Sequence, residues 1–491
     1  MKNAKKVFAM LIVLALAISM AIPVSAAETG KITITNPIEG QTYKAYQMAT
    51  LLQAGDAYAY YVCEGWEAFF LDETVADIFT YDQETGVVSA PSNADVADIA
   101  KLAVSYAKGL NTDTNPENNI PEYVGQKSGN NVEINGLGNG YYCVDTTTGT
   151  ICNLNTVSNG AASIEEKNSV PTLDKQVDQA NTNTDISDAY IGKVLTYTIT
   201  INVGEGAEAY HVEDIMSKGL TLLKHDQSDR GTAKTGVFEA KVGNDTVDLE
   251  NIVIATDNTT KVTTIEFDIA DVKDYVGQDI VITYYARVNS DAIVGTAITN
   301  NAKLTYGDNP NVTPVTDETK TYVYEFNIQK YKNAADIVAN KLPGATFSVK
   351  KGNEQLSFVA VGAEGSGMYR LAMPGENGTT TLTGSSDTGF FKIMGLSLGE
   401  YTIYEESAPV GYNPIIGEAG SIIIGMNNDG SVKYTGYTDG TIDVVNHTGT
   451  VLPSTGATGT IIFITVGGLM VVAMGVLLVV RKRMSKVVYT R

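Results

Sequence analysis

Six polar side chains in this sequence stand where the pattern of a β-strand calls for apolar ones. In Tyr401-Thr-Ile-Tyr-Glu405, strand alternation puts Tyr401, Ile403 and Glu405 on one face and sends Glu406 to the other. The same parity joins Lys330 to Phe326 and Ile328, and Asn446 to Ile442 and Val444. An earlier stretch repeats the set. Lys175 shares a face with Leu173 and Val177, Asp214 with Val212, and Asn300 with Ala302, Leu304 and Tyr306, which favours Asn300 over Asn301. A carboxylate aimed into a core is costly unless it is protonated or paired. Burial moves a lysine towards the neutral, nucleophilic amine and a carboxylic acid towards its protonated form. These residue types therefore suit nucleophile-and-acid chemistry. The competing reading is a snorkelling lysine and an asparagine turn cap.

The segment Tyr401-Thr-Ile-Tyr-Glu405-Glu-Ser-Ala-Pro409-Val-Gly-Tyr412 resembles the E-box of Gram-positive pilins, roughly YxLxExxAPxGY. Ala209-Tyr-His-Val-Glu-Asp214-Ile-Met-Ser-Lys-Gly-Leu220 is similar to the acid-bearing strand of pilin middle domains. The resemblance implies self-forming isopeptide bonds, Lys330 to Asn446 with Glu405 as the acid, and Lys175 to Asn300 with Asp214. In that reaction the acid polarises the carboxamide and relays protons, the amine attacks, and ammonia leaves.

Both chain ends carry export signals. Lys2, Lys5 and Lys6 precede an apolar run from Val7 to about Ala21, followed by the small residues Val24-Ser25-Ala26-Ala27. That is the plan of a cleaved secretory signal peptide, residues 1–27. Ile461 to Val480 is apolar or glycine apart from Thr465, and as a helix it would reach about 30 Å, enough to span a bilayer. Arg481-Lys482-Arg483 follows and holds the tail on the cytoplasmic side. Leu452-Pro453-Ser454-Thr455-Gly456 just before the span resembles the LPxTG signal that sortases cut between Thr and Gly. By that likeness the Thr455 carbonyl passes to an amine. The Lys167-Asn168 pair resembles the end of the pilin motif and implies Lys167 as the acceptor, with Lys175 the alternative. Glu165 and Glu166 replace the motif's usual aromatic and proline.

The elements that must position these residues are short strands. Lys193 to Ile201, Asp279 to Val288 and Glu400 to Tyr404 alternate apolar and polar residues, and turn signals such as Gly243-Asn-Asp245 separate them. The expected fold class is mainly β, with tandem Ig-like β-sandwiches after a mixed, mostly β N-terminal domain. Within that first domain, Val96, Ile99, Ala103 and Tyr106 share a helical face, so a helix is expected from Asn93, as cap, to Gly109. Polar linkers at Glu165 to Pro171 and Asp317 to Lys320 divide the chain into 28–167, 168–320 and 321–448. Residues 449–491 hold the sorting signal, span and tail. The last sandwich resembles a collagen-adhesin B-type domain.

The net charge of −22 argues against nucleic-acid partners. Three cysteines cannot form a disulfide framework for a chain of this length. Cys143 and Cys152 flank a turn and either bridge a hairpin or sit unlinked in a core, with Cys63 left over. Asn111, Asp113, Asn115 and Glu122 have loop-type calcium spacings, but Pro116 stands where such a loop wants glycine. His211, His225 and His447 have no metal-ligand spacing, and no enzyme constellation, metal site or cofactor is expected. As a whole the chain resembles the major subunit of a sortase-assembled pilus at the cell wall. The resemblance implies a pilin-class sortase, a housekeeping sortase, other copies of itself, minor pilins and peptidoglycan as partners. A wall-anchored adhesin that is not polymerised and binds a host surface ligand is the competing class.

Overall fold

The computed structural model describes residues 30–54, 57–91, 96–111, 120–146, 151–177, 185–224, 237–307, 313–449 and 458–487. The signal segment and the Leu452–Gly456 pentapeptide lie outside the described residues. Three β-rich domains follow one another and a C-terminal helix ends the chain.

The first domain packs a four-stranded sheet against a larger one built around Tyr43–Ala54 and Gly140–Thr146. Its opening strand, Gly30–Thr35, pairs in parallel with its closing strand, Ala161–Glu165. The expected helix runs Ala97–Asn111 and buries Ile99, Ala100, Ala103, Val104 and Ala107, while Asn93 falls outside the described residues. Ile99, Ala103, Val104 and Ala107 pack in one cluster with Trp66, Phe69 and Phe70.

The middle domain is a sandwich of two six-stranded sheets. One sheet holds Thr172–Val177, Val194–Asn202 and Asp279–Val288 side by side. The other places Val315–Tyr322, Ile298–Thr305 and His211–Met216 next to one another. β-Branched and tyrosine residues at alternate positions give each strand one buried face, as in Leu195, Tyr197, Ile199 and Ile201. The polar stretch Asp317 to Lys320, expected to be a linker, lies inside the strand Val315–Tyr322. Its inward positions are filled by Thr319 and Thr321, both buried, so a strand of this sheet looks hydrophilic in sequence. The middle domain thus extends to Tyr322, and the C-terminal domain's first strand starts at Tyr324.

The C-terminal domain stacks a five-stranded sheet on a six-stranded one. Its first strand, Tyr324–Lys332, and its last, Thr441–Asn446, are parallel neighbours in the smaller sheet. The E-box strand, Gly399–Ser407, belongs to the other sheet, with Tyr401, Ile403 and Glu405 turned inward. The middle and last domains also meet through hydrogen bonds. Ile191 N–H donates to Gly395 O at 3.0 Å, and Asp188 Oδ2 accepts from Leu398 N–H at 2.9 Å. The terminal helix is Thr458–Val487, and Phe463–Arg483 within it is long and apolar enough to cross a membrane, with a mean hydropathy of 2.6.

Candidate functional site

In the C-terminal domain the parallel register sets Lys330 opposite Val444 and Lys332 opposite Asn446. Lys330 and Asn446 therefore lie on adjacent strands, with Glu405 facing them from the opposite sheet. The side chains of Lys330 and Glu405 are fully buried, with Lys330 Nζ 3.9 Å from Glu405 Oε1. Lys330 Nζ donates to the carbonyls of Val444 at 3.1 Å and Tyr331 at 3.3 Å. Asn446 Nδ2 donates to both Glu405 oxygens, at 3.0 and 3.1 Å, and to Asn413 O at 3.0 Å. Ile415 N–H donates to Glu405 Oε2 at 2.7 Å. Burial pulls the Lys330 ammonium down to about 8, against the opposing effect of Glu405. At that value about a tenth of the amine is neutral at pH 7, where an ordinary lysine has well under a thousandth.

The middle domain brings its three residues together across the two sheets. Lys175 comes from the opening strand, while Asp214 and Asn300 lie on paired strands of the other sheet, with Asn300 opposite Met216. All three are buried. Lys175 Nζ donates to Asp214 Oδ2 at 2.6 Å and to the Tyr284 hydroxyl at 2.8 Å. The Tyr284 hydroxyl donates to Asp214 Oδ2 at 2.5 Å and accepts from Asn300 Nδ2 at 2.7 Å. The rings of Tyr197 and Tyr284 stack at 5.4 Å, and the Lys175 ammonium lies 5.6 and 5.3 Å from their centroids. Burial lowers the Lys175 pKa, with Asp214 opposing. Tyr284 did not emerge from sequence reasoning. Its signal was there, because it sits at the inward parity of Asp279–Val288 with Ile280, Ile282, Ala286 and Val288.

Both sites leave the same atom unsatisfied. Asn300 Oδ1 and Asn446 Oδ1 are buried with no hydrogen-bond partner, as is Asp214 Oδ1. Such orphans cost about 1–3 kcal/mol each and are rare in folded proteins. The carbonyl oxygen of a carboxamide is the atom that gains negative charge when an amine attacks its carbon.

The remaining sequence candidates fall elsewhere. Lys167 is exposed at the join between the first and middle domains. Its neighbour Asn168 is buried, with Nδ2 donating to Thr146 Oγ1, Ile151 O and Glu166 Oε1, and Oδ1 accepting from Ile151 N–H. Gly206, at φ +70, leaves room for that amide, because a Cβ there would lie 1.8 Å from Asn168 Oδ1. The structure draws no disulfide between Cys143 and Cys152, the bridge weighed from sequence. Strand register sets Leu154, not Cys152, opposite Cys143, which is wholly buried.

Three family models match this chain. Residues 191–310 match the Gram-positive pilin backbone subunit 2, Cna-B-like domain. Residues 325–439 match the SpaA prealbumin-like fold domain, and 444–486 the LPXTG cell wall anchor motif. No curated protein sequence matches. Among solved structures, the T6 backbone pilin of serotype M6 Streptococcus pyogenes aligns with TM-score 0.55 at 16% identity, covering 87% of this chain and 100% of that one. The major pilins SpaA and SpaD of Corynebacterium diphtheriae align with TM-scores 0.47 and 0.46 at 13% and 16% identity. They cover 85% and 86% of this chain, and 100% and 98% of their own. The chain thus carries, in order, a Gram-positive pilin backbone domain, a prealbumin-like domain and a cell-wall anchor motif. The anchor motif and the apolar C-terminal helix place this chain at the cell wall, held transiently in the membrane by that helix.

Proposed function

We propose that this chain is the shaft subunit of a covalent pilus, polymerised by a sortase from Thr455 of one copy to Lys167 of the next. Two internal isopeptide bonds, Lys330–Asn446 and Lys175–Asn300, stiffen it. The observation that carries this reading is the pair of sealed sites, each with a buried lysine of lowered pKa, an acid within 3.9 Å of its amine and an asparagine with an orphaned carbonyl oxygen.

The reaction balances without a cofactor. The neutral Lys330 amine attacks Cγ of Asn446 and forms the new C–N bond, while the carbonyl electrons move to Oδ1. Glu405 supplies a proton there, which requires the amide to turn over about its last side-chain bond, since its NH₂ faces the carboxylate in the structure. The acid then passes the amine's surplus proton to Nδ2, the old C–N bond breaks, ammonia leaves, and Oδ1 returns its proton to Glu405 as the carbonyl re-forms. Desolvation favours each step, because it holds the amine neutral and removes water that would compete for the intermediate.

Burial also supports the choice of acceptor. Lys175 is wholly enclosed and bonded to Asp214 and Tyr284, whereas Lys167 is open to solvent on a linker anchored by Asn168. A sortase-bound Thr455 acyl group needs an amine it can approach.

Intact-mass measurement of the mature chain tests the internal bonds. The expected mass lies below the sequence mass by two ammonia molecules, and an undiminished mass sinks both assignments. Cell-wall extracts test polymerisation, since ladders joined through a Thr455–Lys167 peptide are expected, and monomers alone contradict the shaft reading.

A further inference from the structure

The two sites differ in what their acid touches. Glu405 bonds the Asn446 amide directly and stands 3.9 Å from its lysine. Asp214 does the reverse, bonding Lys175 directly and meeting Asn300 through the Tyr284 hydroxyl. An aspartate is one methylene shorter than a glutamate, and the tyrosine hydroxyl occupies the gap. Its hydrogen-bonding capacity is fully used: it donates to the acid and accepts from the amine and the amide.

We propose that Tyr284 is a catalytic residue of the middle-domain cross-link, its hydroxyl relaying the proton from Asp214 to the departing nitrogen of Asn300. The inference rests on the Lys175–Asn300 bond proposed above. Attack by the neutral Lys175 amine on Cγ of Asn300 moves the carbonyl electrons onto Oδ1, leaves a surplus proton on Nζ and turns Nδ2 into an amine with a free lone pair. The Nζ proton passes to Asp214 Oδ2 across 2.6 Å. The carboxyl proton then passes to the Tyr284 oxygen across 2.5 Å as the tyrosine's own proton moves to Nδ2 across 2.7 Å. The C–Nδ2 bond breaks, ammonia leaves, and the tyrosine is neutral before and after. No oxidant, metal or second substrate enters. Burial and the Asp214 charge raise the Tyr284 pKa well above its usual value, so it serves as a hydroxyl donor and acceptor and not as a phenolate. The C-terminal site needs no such group, because its longer acid reaches the amide unaided.

The test is a time course of intact mass and cross-linked peptides on the full mature chain, wild type against Tyr284→Phe, which keeps the ring and removes the hydroxyl. The expected result is a complete Lys330–Asn446 bond in both, and a Lys175–Asn300 bond about a hundredfold slower or more in the variant, the usual range for a lost proton-transfer group. The longer acid in Tyr284→Phe with Asp214→Glu is expected to restore much of the rate, which a merely space-filling tyrosine would not allow. A wild-type rate in Tyr284→Phe overturns the relay while leaving the bond itself standing. Absence of the Lys175–Asn300 peptide from wild type overturns both. If Tyr284→Phe does not fold, 3-fluorotyrosine at position 284 keeps the hydroxyl but makes it more acidic. A changed rate then supports the relay, and an unchanged one overturns it.

Discussion

Glu405→Gln isolates what the acid of the C-terminal site contributes. The substitution exchanges Oε1 for an NH₂ group and keeps Oε2 as acceptor for the Ile415 N–H and the Asn446 amide, so packing is largely retained. What is lost is the proton donor. The variant is expected to keep one more ammonia than wild type and to leave Lys330 as a free amine. Lys330 and Asn446 close a loop of more than a hundred residues, and on the chain-entropy account such a link is worth about 4–5 kcal/mol. For a domain of this size that corresponds to a fall in Tm on the order of 15–20 °C by calorimetry. The pH dependence gives a second readout. Burial lowers the Lys330 pKa from 10.5 to about 8 in the folded state, and removing Glu405 takes away the effect that raises it. Between those values the unfolded chain binds more protons than the folded one, so the stability of the unlinked variant rises with pH. The gain across that window is about 3 kcal/mol or more, complete above the unfolded pKa and absent below the folded one. Wild type is expected to lack this rise, because the proposed bond consumes its amine. A Glu405→Gln chain that still loses both ammonia molecules would refute the acid's role. One that loses only the middle-domain ammonia yet melts with wild type would refute the loop-entropy argument.

Polymerisation separates the two candidate acceptors. Lys167→Arg is expected to abolish high-molecular-weight ladders on gels of cell-wall extracts while monomers stay folded and wall-attached. Lys175→Ala should leave ladders intact but restore one ammonia to the subunit mass and lower its protease resistance. Full ladders in Lys167→Arg, with Lys175 in the inter-subunit peptide, would mean the roles are exchanged. Gly206→Ala puts a methyl group against Asn168 Oδ1 at a positive φ, so a loss of at least about 1–2 kcal/mol is expected at the first–middle junction. Limited proteolysis near Lys167 reads that change, and unaltered cleavage would show that the Asn168 anchor does not hold the linker.

A period of two along each strand was enough to say which polar side chains point inward. Lys330, Glu405 and Asn446, and Lys175, Asp214 and Asn300, are all buried as their parity required. The apolar C-terminal helix and the choice of Asn300 over Asn301 were legible for the same local reason, since hydropathy and alternation are properties of neighbours along the chain. Tertiary structure decided the rest, because it depends on which strand lies against which. The threonines of Val315–Tyr322 read as linker until a sheet buried them. Cys143 and Cys152 were close in sequence, but register gave Cys143 a leucine opposite. Parity puts Tyr284 inside but cannot say that its hydroxyl ends between a lysine, an aspartate and an asparagine from three other strands. Nor can parity say that one acid touches its amine and the other its amide. Those distances are set by how two sheets pack face to face and by one methylene of side-chain length.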